Sequence, residues 1–182
     1  MADTVWYSAN VPADFPTRDS IALLCAEAGN SVCIRVAGKP RYWVKYAYHS
    51  PLRGEGRTQA HVAKLVNTNP ASVVRVPEVY LGFSRRQCSY LVMDFVQGTT
   101  FAQRKSPKGR HSKDDIEAVA AAVRQLIEIK MPAGTAPGPI GGGFIGHNLF
   151  VEGMSSLEYP TVGHLEAQLN EVCFPLAFGA LH

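Results

Sequence analysis

Residues 31–48 read Ser31-Val32-Cys33-Ile34-Arg35-Val36-Ala37-Gly38-Lys39-Pro40-Arg41-Tyr42-Trp43-Val44-Lys45-Tyr46-Ala47-Tyr48. Val32, Ile34 and Val36 alternate with Cys33 and Arg35, and a β-branched and aromatic run resumes at Tyr42 after Gly38-Lys39-Pro40. A period of two marks a half-buried strand, and Gly-x-Pro marks a turn, so the stretch predicts a β-hairpin. Working outward, Pro51 opens a predicted helix over 52–67, in which Glu55, Gln59, Val62 and Val66 share one face. Gly54 and Gly56 weaken its first turn.

Asn69-Pro70 ends that helix, and residues 73–83 read as an edge strand, or as two short strands broken at Pro77, because proline donates nothing to a ladder. Ser84-Arg85-Arg86-Gln87 turns the chain into Tyr90-Leu91-Val92-Met93, whose unbroken apolarity predicts a strand covered on both faces. Thr99 or Thr100 then caps a short helix. Ser112, followed by Asp114 and Asp115, caps a longer one in which Ile116, Val119, Ala120, Val123, Leu126 and Ile127 keep a period of 3.6. Residues 131–146 are too rich in Pro and Gly for regular structure, and a last helix is predicted over 162–172 on Leu165, Leu169 and Val172. Strands, helix, strands and then helices make an α+β pattern.

Composition narrows the class. The chain has 182 residues, 46% hydrophobic and 18% charged, which suits a globular fold with one full core, or one small lobe and part of another. A net charge of +3 is too small and too spread to signal nucleic acid. Cys25, Cys33, Cys88 and Cys173 form no Cys-x-x-Cys pair and read as reduced thiols. No basic leader precedes a long apolar run, and no run reaches the roughly 20 residues of a bilayer span. The expectation is a cytoplasmic protein with no membrane and no nucleic-acid partner.

A lysine on a rigid strand and a carboxylate on the next packed helix are what phosphoryl transfer needs to hold a triphosphate and neutralise its oxygens. Lys45 and Glu55 have that arrangement. The bland alternative is a surface lysine and a solvated glutamate, but Trp43, Val44 and Tyr46 around Lys45 favour the functional reading. Met93-Asp94-Phe95-Val96 has the character of an extended connector whose backbone reads a base edge, and equally of a core strand running into a turn.

In order and spacing, Gly29-Asn30-Ser31, Val44-Lys45, Gly54-Glu55, the segment 74–80, Tyr90-Leu91-Val92-Met93-Asp94-Phe95-Val96-Gln97-Gly98, and the later Pro137-Gly138-Pro139-Ile140-Gly141-Gly142-Gly143 with Gly146-His147 resemble the fungal form of the aminoglycoside phosphotransferase family. The resemblance covers most of the chain. It implies a protein-kinase-like small lobe over 1–97, a mainly antiparallel sheet with one packed helix, followed over 98–182 by the first helices of an incomplete large lobe. It also implies ATP and Mg2+ as cofactors and a small-molecule hydroxyl as acceptor in complete relatives. Lys45 would contact the α/β-phosphates, Glu55 would orient it, Gly29, Asn30 and Ser31 would approach the phosphates, and Met93, Asp94, Phe95 and Val96 would hold adenine.

The chain departs from the family in lacking an H-x-D catalytic loop and a later metal-binding Asp, so no catalytic or metal residue is expected and the chain alone is expected to be inactive. Three states fit: a truncated phosphotransferase, a pseudokinase-type module that binds nucleotide or protein, and an enzyme whose other lobe is absent from this sequence. Two look-alikes read as structural. Asp94-Phe95-Val96 lacks the glycine of the metal-binding triplet and sits at the hinge, and His164-Leu165-Glu166 with Asn170 has the wrong spacing and acid for the catalytic loop. Gly141-Gly142-Gly143 is followed by no Lys-Ser or Lys-Thr, so it is no phosphate loop. Arg104, Lys105, Lys108, Arg110 and Lys113 read as a solvated loop, and the six histidines show no metal-ligand spacing.

Overall fold

The computed structural model describes residues 3–28, 31–48, 52–104 and 109–178. The chain divides into two compact units, Met1–Ile129 and Lys130–His182. The first is built on five strands, β1 (Thr4–Ser8), β2 (Ser31–Val36), β3 (Lys39–Tyr48), β4 (Val79–Arg85) and β5 (Cys88–Asp94), with helices α1 (Arg18–Ala28), α2 (Leu52–Asn67) and α3 (Lys113–Ile127). The sheet runs β1-β4-β5-β3-β2 with every neighbour antiparallel, so the fold is α+β.

The β2–β3 hairpin forms as predicted, but its turn is Ala37-Gly38, both at positive φ (49° and 78°), and Lys39 and Pro40 already belong to β3. Positive φ at both central residues is the hairpin turn whose twist matches the strands. Arg86 and Gln87, at φ 48° and 71°, repeat it between β4 and β5.

Alternation of side chains sorts the sheet into two cores. Tyr42, Val44, Tyr90, Val92 and Phe83 pack with Ile21 and Cys25 of α1 on one face. Leu91, Met93 and Val79 pack with Leu52 of α2 on the other. Strand β5 thus contributes to both, as its continuous apolarity required. Each such side chain, fully buried, stabilises by about 1.5–3 kcal/mol relative to exposure. The sheet therefore carries two packed helices, one on each face, where the family resemblance implied one. Strand β1 and helix α1 carried no periodic signal strong enough to be predicted.

Residues 73–78 are not a strand, and β4 lies inside the sheet between β1 and β5, which corrects the expected edge strand. The reason is polar: Asn67 donates to the Val76 carbonyl at 2.8 Å and accepts from the Val76 N–H at 3.0 Å, so that backbone is satisfied by a side chain and not by a ladder. Helix α3 begins at the Ser112 cap, whose Oγ accepts from the Asp115 N–H at 3.1 Å. Gln125 ties α3 to the 72–73 loop, accepting from the Val73 N–H at 2.9 Å and donating to Ser72 Oγ at 2.7 Å.

The second unit holds an irregular segment and α4 (Val162–Phe178), longer than predicted. Buried Ser155 organises the segment: its Oγ accepts from the Ile145 N–H at 2.8 Å and donates to the Leu157 carbonyl at 2.9 Å. His164 serves the start of α4, its Nδ1 2.8 Å from Thr161 Oγ1. Among the described residues no helix is long and apolar enough to cross a membrane.

Candidate functional site

Lys45 lies in β3 opposite Leu91, and Trp43 lies opposite Met93, so all four point to the α2 face of the sheet. Glu55 stands in the first turn of α2, where a carboxylate also complements the positive end of the helix. The two meet: Lys45 Nζ is 2.5 Å from Glu55 Oε1, with the side chains 45% and 41% exposed. The pair is a half-open rim contact, not a buried one.

What lets α2 come so close is the glycine that weakens it as an isolated helix. A Cβ on Gly56 would stand 2.7 Å from Leu91 Cδ1 and 2.9 Å from the Trp6 ring, and one on Gly82 would stand 2.2 Å from the same ring. Trp6 is wedged between helix and sheet, and the first turn of α2 settles onto it. The sheet-facing row of α2 is Leu52, Gly56, Gln59, Ala63 and Val66, which leaves Glu55 at the edge of the predicted face.

Ser31 opens β2 directly opposite Lys45, so the end of the predicted glycine turn adjoins the lysine. Gly29 and Asn30 lie outside the described residues. Of the predicted hinge, Met93 is core and 4% exposed. Asp94 is a lock: its Oδ1 accepts from the Tyr80 hydroxyl at 2.7 Å, its Oδ2 from the Glu78 N–H at 3.1 Å, and its own N–H donates to the Glu78 carbonyl at 2.9 Å. Burial, and then the bond to Asp94, push the Tyr80 phenol up to about 12. Both Asp94 carboxylate oxygens thus accept from donors of the fold itself, while the backbone beyond it changes character. Phe95 donates its N–H to the Arg41 carbonyl at 3.1 Å, and its ring stands 6.2 Å from Trp43. Val96, 66% exposed, makes no hydrogen bond within the described residues.

A depression of about 610 Å³ opens beside this connector, lined by Lys39, Pro40, Arg41, Asp94, Phe95 and Gln97. It includes neither Lys45 nor Glu55. The ladder nevertheless sets the distance: Lys45 is two residues along β3 from Trp43, about 7 Å at strand rise, on the face that Met93 and Phe95 share.

Elsewhere, Arg104 pairs with Asp115 at 2.9 Å and Lys113 with Glu117 at 3.5 Å, so the basic run is partly neutralised by its own helix. Lys105 and Lys108 lie outside the described residues. Cys25 and Cys88 are buried and Cys33 half-buried, all as free thiols, and burial followed by the neighbouring Cys88 pushes Cys25 up to about 11. Among the described residues no three of His, Cys, Asp and Glu stand together as a metal-holding group.

The Gln59 and Asn67 amides, the Asp94 lock and the Trp6 wedge were missed by the sequence reading as parts of the site. Gln59 alone had a signal, sitting one turn beyond Glu55 on the same helical face.

Fold and site together define an α+β domain in which an antiparallel sheet presents a strand lysine to a helix carboxylate. Compared with models of known protein families, with curated proteins and with solved structures, the chain finds no match.

Proposed function

We propose that this chain is the nucleotide-binding lobe of a kinase-like, aminoglycoside-phosphotransferase-type protein, with ATP as its ligand. The observation that carries the reading is the Lys45–Glu55 pair: a lysine on an interior strand of the sheet, 2.5 Å from a carboxylate of the helix packed on that face. A fixed ammonium beside the β2 edge is placed to meet the phosphates, and Glu55 keeps it from collapsing onto other acceptors. The open N–H and carbonyl of Val96, on the connector after β5, are available to a base edge, next in the chain to Phe95, whose ring stands 6.2 Å from Trp43.

The residues present do not fit magnesium, because no carboxylate cluster accompanies Lys45 among the described residues. No step is therefore assigned to a metal on this chain. The 182 residues contain no H-x-D triplet, so the loop aspartate that takes an acceptor's hydroxyl proton in kinases has no counterpart assigned here. Phosphoryl transfer to a small-molecule hydroxyl belongs, on this reading, to relatives that carry that loop.

A second reading, a non-catalytic module that engages a protein partner, draws on α3. Ile116, Val119, Val123 and Ile127 are 53%, 42%, 52% and 76% exposed, an apolar stripe of the kind that marks a packing surface.

The deciding experiment is a thermal-shift titration of the purified chain with Mg-ATP, in parallel with Lys45→Ala. A bound ligand at a hundredfold excess over its dissociation constant stabilises by about 2.7 kcal/mol. The expected result is a shift in the native chain that Lys45→Ala removes. No shift in either protein discards the nucleotide and leaves the module reading.

A further inference from the structure

An ion pair as exposed as Lys45–Glu55 is too weak to hold a helix in place, since exposed pairs contribute about 0–1 kcal/mol. Something else must set where Glu55 stands. Gln59, one helical turn further along α2, donates from Nε2 to the Pro77 carbonyl at 2.9 Å, and the same nitrogen is 3.4 Å from Met93 Sδ. An amide on the sheet-facing row of a helix has a desolvation cost that an aliphatic side chain would avoid, and here its hydrogens are used.

The two acceptors have a particular position in the fold. Met93 is the last core residue of β5 before the connector. Pro77 precedes Glu78, whose N–H and C=O are both held by Asp94. Gln59 therefore joins α2 to the root of the connector at two points, while Asn67 clamps the far end of the same helix to Val76.

We propose that Gln59 is a positioning residue that couples the seat of the 93–96 connector to the Lys45–Glu55 pair. Its effect on ligand binding rests on the nucleotide reading above, and its effect on the pair does not. Without the amide, α2 keeps its Trp6 and Leu91 packing but loses the bond that fixes its rotation near Glu55, and Lys45 spends more time unpaired.

The test is competitive acylation of lysines in the full chain, read by mass spectrometry as Lys45 labelling relative to Lys64, which stands exposed in the last turn of α2. Glu55→Gln sets the level for a released Lys45. Gln59→Met, which keeps length and helix preference but has no donor, is expected to raise the Lys45:Lys64 ratio most of the way to that level. It is also expected to weaken the Mg-ATP shift. Should the Met variant not fold, Gln59→Asn, which draws the amide back by one methylene, makes the same measurement. A ratio unchanged from the native chain, whatever happens to the melting temperature, overturns the proposal and reduces Gln59 to a fold contact. A raised ratio in a protein whose native form shows no Mg-ATP shift upholds the coupling and removes the nucleotide reading instead.

Discussion

The exposure of the Lys45–Glu55 pair lets the proposed nucleotide response be tested apart from stability. Because the pair is half exposed, Lys45→Ala should leave the melting temperature of the unliganded chain nearly unchanged and remove only the Mg-ATP response. Asp94 is the opposite case. Its two oxygens satisfy the Tyr80 hydroxyl and the Glu78 N–H, so Asp94→Ala strands both donors and is expected to cost about 1–3 kcal/mol in urea denaturation. The pairing of a strand lysine with a helix glutamate was legible, because both lie in elements whose pattern is clear and adjacent in the chain. The role of Asp94 was not: its partners lie 14 and 16 residues away, one on β4 and one just before it, and an Asp after an apolar run looks the same whether it faces a ligand or its own backbone.

At the scale of elements, turn chemistry and glycine placement matter most. Ala37 sits at φ 49°, a left-handed conformation that penalises an L side chain and that asparagine tolerates best before a glycine. Ala37→Asn makes an Asn-Gly turn and should stabilise the hairpin by on the order of 0.5–1 kcal/mol, read as a raised denaturation midpoint. Gly82→Ala should do the reverse. Its Cβ would fall 2.2 Å from Trp6, and overpacking of this kind costs about 1–3 kcal/mol, with a change in Trp fluorescence marking the displaced ring. Propensity counts Gly54 and Gly56 only as defects in α2, whereas the packed fold uses Gly56 as the place where helix, Trp6 and Leu91 meet. Helix α3 shows the converse. Its cap and period were plain in the sequence and formed as predicted, yet its stripe stays exposed, because periodicity states which residues share a face and not what covers them.

For the whole molecule, both core clusters and every described site residue fall within Met1–Ile129. Residues 1–129 expressed alone should therefore unfold cooperatively and keep the Lys45 labelling ratio of the full chain, and a non-cooperative melt would show that the first unit depends on the second. The β2–β3 hairpin, α2, the doubly covered β5 and the capped α3 were legible in the chain, because each rests on periodicity, turn residues or caps within a few residues of one another, whereas the pairing of Lys45 with Glu55 was expected from the lysine and carboxylate that phosphoryl transfer needs. The pairing of β1 with β4, the cover of α1 on the second face, the departure of 73–78 from the ladder and the hydrogen bonds of Gln59 and Asp94 near the connector emerge only in the folded chain. Those outcomes depend on which distant donor meets which acceptor and on how closely two backbones approach, and neither is written in the spacing of residues along the chain.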